Sequence, residues 1–167
     1  MGAVRALLSF PDPVDEVSAR LVAAGVIAQC VVILSGMTWL IAPLAYGFAA
    51  RVATGPTLSP LGQVATRVVR PRLAVTPRPV PGPPKRFAQG IGAVLSLTAA
   101  VLHFAFGLTA PALVAVAAIL AAAGLEAFLG VCLGCRLFAR LVTLGVLPAH
   151  ACAACRDLTT RSDAAAA

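Results

Sequence analysis

The chain contains two long apolar runs, each divided by a short turn. Residues 21–50 and 87–125 contain no Asp, Glu, Lys or Arg. Such runs are typical of transmembrane helices, which need about 20 predominantly apolar residues to cross a bilayer. With turns at Gly36–Trp39 and Leu108–Pro111, the pattern predicts four spans, at about Leu21–Met37, Thr38–Ala53, Phe87–Gly107 and Pro111–Val131.

The segments outside the spans carry helix-start signals. Asp12 before Pro13 and Ser59 before Pro60 each combine an N-cap side chain with proline at the first helical position. We therefore expect helices to begin near Pro13 and at Pro60, the second running to about Val69. Leu61, Val64, Ala65 and Val68 share one side of that second helix, which predicts an interfacial helix on the lipid surface. The proline-rich residues 71–86 predict an extended linker.

The second span is short for a bilayer. Pro43 lies inside it, and Arg51 near its end can reach the headgroups with its long side chain. A re-entrant hairpin is the alternative. The predicted fold class is all-α: a polytopic membrane protein with four transmembrane helices, an interfacial helix in the central loop and a cytoplasmic C-terminal helix or turn. Its segments are 1–20 (N-terminal segment), 21–53 (first hairpin), 54–86 (basic loop), 87–131 (second hairpin), 132–157 (cysteine segment) and 158–167 (loose tail).

Composition supports the membrane assignment. Hydrophobic residues make up 60% of the chain and charged residues 11%, with a mean hydropathy of +0.95. A soluble domain is about a quarter charged, so this chain has too little polar material to cover a water-soluble globule. The net charge of +7 does not favour nucleic-acid binding, because the basic residues cluster at the ends of apolar runs with almost no aromatic residues among them.

The basic residues also predict an orientation. The loop from Thr54 to Arg86 has six basic residues and no acid, whereas the turns at 36–39 and 108–111 are uncharged. By the positive-inside rule, the central loop, the C-terminal segment and the N-terminus are expected in the cytoplasm of a bacterial cell, with the spans in its plasma membrane. A structural disulfide is not expected in that reducing compartment.

Two CxxC pairs are the main candidates for chemistry: Cys132 with Cys135, and Cys152 with Cys155. Their spacing fits a zinc site of four thiolates, which would require a bend at Gly145 or Pro148. Each pair is also a redox dithiol pattern, and Arg136 and Arg156 directly after the pairs supply positive charge that favours thiolates. Small apolar side chains at a helix end are the third interpretation.

Glu126 is the second candidate, six residues before Cys132 and inside the predicted fourth span. Acids within a membrane are costly to bury and are usually paired or functional. We expect Glu126 to neutralise Arg51 or Arg20 at the same membrane face. The alternative is a proton carrier for the thiols.

Several motifs together resemble one family: Phe10-Pro-Asp-Pro-Val-Asp15, Arg51 with Gly55-Pro56 and Ser59-Pro60, Pro84-Lys-Arg-Phe-Ala-Gln89 and Cys132-Leu-Gly-Cys135. It is the bacterial membrane-protein family called domain of unknown function 4395. The resemblance covers about Phe10 to Cys155. Members are companions of thioredoxin-like and sulfurtransferase proteins, so the resemblance implies thiol or sulfur chemistry without giving a reaction.

The preferred functional hypothesis is a thiol-redox or sulfur-relay partner of a soluble thioredoxin-like or sulfurtransferase protein, acting through Cys132, Cys135, Cys152 and Cys155. The alternative is a non-enzymatic membrane scaffold whose four cysteines bind a structural zinc ion. A small transporter using Arg51 and Glu126 is the third hypothesis. Whether the protein is an enzyme stays open, since no catalytic triad, phosphate loop, haem motif or dinucleotide fingerprint is present.

Overall fold

The computed structural model describes residues 10–147, and most of them are helical. Strand β1 (Val14–Asp15) leads into helix α1 (Glu16–Leu34), and a 3₁₀ turn (Thr38–Leu40) leads into α2 (Ile41–Thr54). Helix α3 (Pro60–Gln63) continues as a π-helical segment (Val64–Val69) and a 3₁₀ turn (Arg70–Arg72). Strand β2 (Pro79–Val80) precedes α4 (Gly82–Ala100) with its π-helical end (Val101–Ala105), α5 (Thr109–Leu129) and α6 (Leu133–Thr143).

Three of these helical segments are long and apolar enough to cross a membrane: Glu16–Leu34, Gly82–Ala105 and Thr109–Leu129. Large apolar side chains such as Val94 and Val114 point outwards and are exposed, as expected for helices surrounded by lipid. Helix α2 has 14 residues. With the 3₁₀ turn before it, α2 rises about 27 Å, slightly less than the ~30 Å hydrocarbon core of a bilayer.

The helices form two closely packed pairs, α1 with α5 and α2 with α4. Helix α4 also contacts α5 and α6, so it holds the two pairs together. The large apolar side chains that are fully buried include Cys30, Ile33, Ile41, Leu44 and Val116. On α4, Gly92 lies directly against the ring of Phe48, and a Cβ atom there would overlap that ring. The α2–α4 contact therefore depends on glycine at this position.

The N-terminus of α1 differs from the expectation. Asp15 caps the helix, accepting hydrogen bonds from the backbone N–H groups of Val17 (3.4 Å) and Ser18 (3.3 Å). The predicted start near Pro13 is wrong because Val14 is extended and pairs with Val80 in a two-stranded antiparallel ladder. Asp12 instead accepts a hydrogen bond from Gly82 N–H at 2.9 Å, before α4.

The predictions for the central loop are confirmed in part. Ser59 caps α3, accepting from Gly62 N–H at 3.2 Å, and helical structure continues to Val69 as expected. The apolar side is split, because Ala65 packs into the core while Val64 and Val68 are exposed.

The extended linker ends earlier than predicted. Residues 73–78 have no helix or strand, but α4 begins at Gly82 rather than near Phe87. Pro83 and Pro84 occupy its first turn, where the missing N–H groups would have had no helical partner.

Candidate thiol site

The first CxxC pair lies at the N-terminus of α6. Helix α5 ends at Leu129 because Gly130 adopts a left-handed conformation (φ 67°), and α6 begins three residues later. Cys132 is the extended N-cap residue, and its carbonyl oxygen accepts a hydrogen bond from Arg136 N–H at 3.1 Å. Cys135 is the third residue of α6. Both cysteines are reduced and half-buried.

The two thiols have opposite proton affinities. The Cys135 thiol donates a hydrogen bond to the Cys132 sulfur, and this lowers the pKa of Cys132 although burial opposes the effect. The same hydrogen bond, together with burial, raises the pKa of Cys135. Lys85 favours the thiolate form of both, whereas Arg136, the expected source of positive charge, is not among the groups that shift either pKa. Cys132 therefore loses its proton first.

Contacts with α4 hold this thiol-bearing turn in place. Gly134, between the two cysteines, lies so close to α4 that a Cβ atom there would be 2.6 Å from Ala88 Cα. One turn further along, the Phe138 side chain is buried and meets the Phe87 ring edge to face, with centroids 5.5 Å apart. The glycine in Cys132-Leu-Gly-Cys135 is thus required by helix packing.

Glu126 pairs with Lys85, with Nζ and Oε1 2.5 Å apart. Its predicted partners, Arg51 and Arg20, form hydrogen bonds with other groups. Arg20 donates to the carbonyl oxygens of Ala127 (2.9 Å) and Phe128 (3.2 Å) at the end of α5.

Arg51 forms hydrogen bonds with other polar side chains and with neither of the acids that form ion pairs within residues 10–147. The expected pairing of Glu126 with Arg51 or Arg20 is therefore corrected. Lys85 lies in the first turn of α4, opposite the last turns of α5, and so reaches the carboxylate more directly.

Lys85 is the site residue that sequence reasoning missed. It follows Pro83 and Pro84, which mark a helix start, so its position at the N-terminus of α4 could have been predicted from the sequence. That end of α4 is at the same end of the bundle as Glu126. The partner of Lys85 could not have been predicted, because the pairing depends on how α4 and α5 pack.

A cavity of about 340 Å³ connects the thiol turn to the interior of the bundle. Cys132 and Glu126 line one part of it, and Gln89 contributes a further polar group. The remaining lining is apolar and includes many small alanine and glycine residues of α1, α4 and α5. The arrangement can support thiol chemistry, since an acidic thiol, a proton-bearing thiol and a carboxylate share one small region.

Comparison with known families identifies the chain. The family model described as Domain of unknown function (DUF4395) matches residues 14–143. The chain belongs to this family. No curated protein and no solved structure matches the sequence.

The DUF4395 match contains Arg51, Lys85, Glu126 and the pair Cys132 and Cys135, and it ends before the second CxxC pair. The resemblance inferred from the motifs is thus confirmed at the level of the family. Glu126 and the first cysteine pair are the parts of the predicted site that belong to the matched region.

Cys152 and Cys155 lie outside the described residues, as does Pro148, one of the two expected bend positions. The other, Gly145, has a positive φ of 73° just after α6. Within residues 10–147 there is no group of three His, Cys, Asp or Glu residues that could hold a metal ion. A four-cysteine zinc site and a relay between the two pairs stay predictions.

Proposed function

We propose that this membrane protein exchanges thiols with a soluble thioredoxin-like or sulfurtransferase protein through Cys132 and Cys135. The observation that carries the proposal is the position of Cys132 at the N-cap of α6 with a lowered pKa, next to a proton-bearing Cys135. The thiolate is the nucleophile in thiol–disulfide exchange, and a helix N-terminus stabilises it. Cys132 is the attacking thiol and Cys135 the resolving thiol.

The exchange proceeds in two balanced steps. The Cys132 thiolate attacks a partner disulfide, forming a mixed disulfide and releasing one partner thiolate. Cys135 then loses its proton and attacks the Cys132 sulfur, which closes the Cys132–Cys135 disulfide and releases the second partner thiolate. Two electrons pass to the partner. Glu126, which lines the same cavity as Cys132, is the proposed acceptor of the Cys135 proton.

Sulfur transfer uses the same nucleophile. The Cys132 thiolate attacks the outer sulfur of a persulfide on a sulfurtransferase, giving a Cys132 persulfide and a partner thiolate. The Cys135 thiolate can then release that sulfur as hydrosulfide by forming the intramolecular disulfide. In both cases the partner approaches from the membrane face that carries α6.

The proposed setting is a bacterial plasma membrane with four spans and both chain ends in the cytoplasm. Helices α1 and α4 begin, and α2 and α5 end, at the end of the bundle where the thiol turn lies. The basic central loop starts and finishes at this same end, which supports a cytoplasmic position by the positive-inside rule. In this proposal α2 crosses as the second span, and the helix from Pro60 to Val69 lies in the interface.

The test is to trap the mixed disulfide. In a full-length chain with Cys152→Ser and Cys155→Ser, the further change Cys135→Ser removes the resolving thiol. With an oxidised thioredoxin-like protein, we expect this variant to accumulate a covalent adduct at Cys132, detected by mass spectrometry. The matched control adds Cys132→Ser instead, and should form less adduct because burial and Glu126 still raise the pKa of the remaining Cys135 thiol. Absence of an adduct in the first variant, or equal adduct in both, would contradict the proposal.

Metal analysis of the purified wild-type chain distinguishes thiol exchange from a zinc scaffold. Structural zinc bound by all four cysteines would be present at one ion per chain and lost when any single cysteine is replaced. That result would support the scaffold and remove the free thiolate that exchange requires.

A further inference from the structure

Arg51 is a buried cation without a counter-ion contact among the described residues. Its side chain is 5% exposed, in the last turn of α2. Nε donates to Gln89 Oε1 (2.9 Å) and Nη1 to Ser59 Oγ (3.1 Å), while the guanidinium carbon lies 4.4 Å from the centre of the Phe48 ring. Nη2 is buried and has no hydrogen-bond partner within residues 10–147.

Burying the Arg51 guanidinium in this way costs free energy unless an acceptor pairs with its remaining N–H groups. A buried donor without an acceptor loses its hydration, and a buried charge without a partner loses more. In residues 10–147 the two ion pairs are Asp15 with Arg70 and Glu126 with Lys85, and each is internally neutral. Arg51 therefore has no acid in direct contact with it in this part of the chain, and an anion would supply both a contacting charge and the missing acceptor.

Arg51 lines a cavity of about 220 Å³ together with Lys85 and Gln89. Lys85 has three N–H donors and uses one on Glu126. The oxygen of Gln89 accepts from Arg51, which leaves its amide N–H groups as donors. Three side chains of α2 and α4 that carry N–H donors thus line one small space. Asp15, the acid in the same lining, is paired with Arg70.

We propose that this cavity binds a phosphate-type oxyanion, supplied either by a lipid headgroup or by free phosphate. Charge-assisted hydrogen bonds from guanidinium groups are suited to phosphate oxygens, and one negative charge balances Arg51. The proposal does not depend on thiol exchange, because neither Cys132 nor Cys135 lines this cavity, although Gln89 lines both cavities.

The test measures anion binding by the full-length protein in a non-ionic detergent. Inorganic phosphate is titrated against chloride at constant ionic strength, and dioctanoyl phosphatidylglycerol is titrated in parallel, with the unfolding temperature as readout. We expect a saturable rise in unfolding temperature, since a ligand that binds the folded state stabilises it. Arg51→Lys keeps the charge but loses the fork of N–H donors, and should weaken binding about tenfold or more.

Arg67→Gln is the matched control. Arg67 is exposed and does not line the cavity, so its removal changes net charge near the same end of the bundle without touching the site. Binding in this variant should stay at the wild-type level. If Arg51→Lys does not fold, Gln89→Leu serves instead, because it removes a donor from a different helix.

Saturation by phosphate and lipid supports the shared site, and saturation by one alone supports it and identifies the source. Three outcomes overturn it: neither probe binds, binding is unchanged in Arg51→Lys or Gln89→Leu, or dioctanoylglycerol, which lacks phosphate, has the same effect as the lipid.

Discussion

Cys132 and Cys135 lie on one helix end, yet a single hydrogen bond separates their roles. The proton of Cys135 stabilises the negative charge on Cys132, so the lowered pKa of one thiol and the raised pKa of the other have the same cause. The nucleophile is therefore assigned by geometry and not by residue type, because both positions are cysteine. Removing the donor at position 135 should therefore remove most of the lowering of the Cys132 pKa.

We predict that Cys135→Ala raises the pKa of Cys132, in a chain that also carries Cys152→Ser and Cys155→Ser. A lower pKa means more thiolate at neutral pH, so alkylation of Cys132 by iodoacetamide at pH 7.5 should slow severalfold and its pH midpoint should rise. Mass spectrometry of time points from pH 5 to 10 measures both. Cys30→Ala is the control, because Cys30 is fully buried in the core. An unchanged midpoint in Cys135→Ala would show that the hydrogen bond does not set the pKa.

At this scale the sequence indicated which residues to consider and not how they interact. Cys132, Cys135 and Glu126 were candidates from their types and spacing alone. The partner of Glu126 was predicted wrongly, since Lys85 is 41 positions away and meets it only through the packing of α4 against α5. The assignment of the acidic thiol likewise required the helix N-terminus to be located within one residue.

Helix α6 is the element that presents the thiols, and its close approach to α4 fixes where they lie. Phe138 is the buried residue on α6, and Gly134 allows the two backbones to come together near Ala88. The contact is with Ala88 Cα and Cβ, neither of which can rotate away, so a larger residue at position 134 cannot be accommodated without moving a helix. Replacing Gly134 even by alanine should therefore displace the thiol-bearing turn.

We predict that Gly134→Ala displaces the N-terminus of α6 and destabilises the protein by about 1–3 kcal/mol, the usual range for overpacking a tight contact. It should also slow closure of the Cys132–Cys135 disulfide, measured against glutathione redox buffers. Gly90→Ala is the matched control, because a Cβ atom there meets nothing within 4 Å. Equal effects of the two substitutions on stability and on disulfide closure would argue against the packing role of Gly134.

Elements with local signals were predicted better than elements set by distant contacts. Ser59 and Pro60 determine a helix start on their own, and α3 begins there. Asp12 and Pro13 carry the same signal, but the pairing of Val14 with Val80 keeps that segment extended. The end of α5 was placed too late, although Gly130, a residue favoured just beyond helix ends, was available as a signal.

At the scale of the molecule, the ion pair of Lys85 and Glu126 joins α4 to α5. The side chains are 11% and 16% exposed, so the pair is largely removed from solvent. Breaking a buried pair leaves an uncompensated charge, whereas replacing both partners does not. Comparing the single replacements with the double replacement therefore tells whether Lys85 and Glu126 stabilise the protein as a pair or independently.

We predict that Lys85→Met and Glu126→Leu each destabilise the protein by about 3 kcal/mol and that the double change Lys85→Met with Glu126→Leu costs less than either single change. Unfolding in mixed detergent micelles, followed by circular dichroism, provides the measurement. Arg70→Met is the comparison, and it should cost less than either single change, because Asp15 keeps its other hydrogen bonds when Arg70 is removed. Additive losses in the double variant would contradict the coupling.

The membrane class of the whole molecule followed from composition, because so few charged residues cannot cover a soluble surface. Three helices have the length and apolarity needed to cross a membrane, as the sequence pattern indicated. The predicted second span is different, since α2 has 14 residues and its crossing depends on neighbouring helices and flanking side chains. Hydropathy alone could not decide it.

The small ladder between β1 and β2 constrains how many times the chain can cross the membrane between these two strands. Val14 and Val80 are joined through their backbones, and Glu16 N–H donates to Arg78 C=O at 2.8 Å, so the chain before α1 and the chain before α4 lie in one compartment. A polypeptide that leaves a compartment and is found there again has crossed the boundary an even number of times. If α1 crosses the bilayer, the return has to pass through α2. If α1 spans the membrane, the two-residue ladder therefore predicts that the short helix α2 spans it as well.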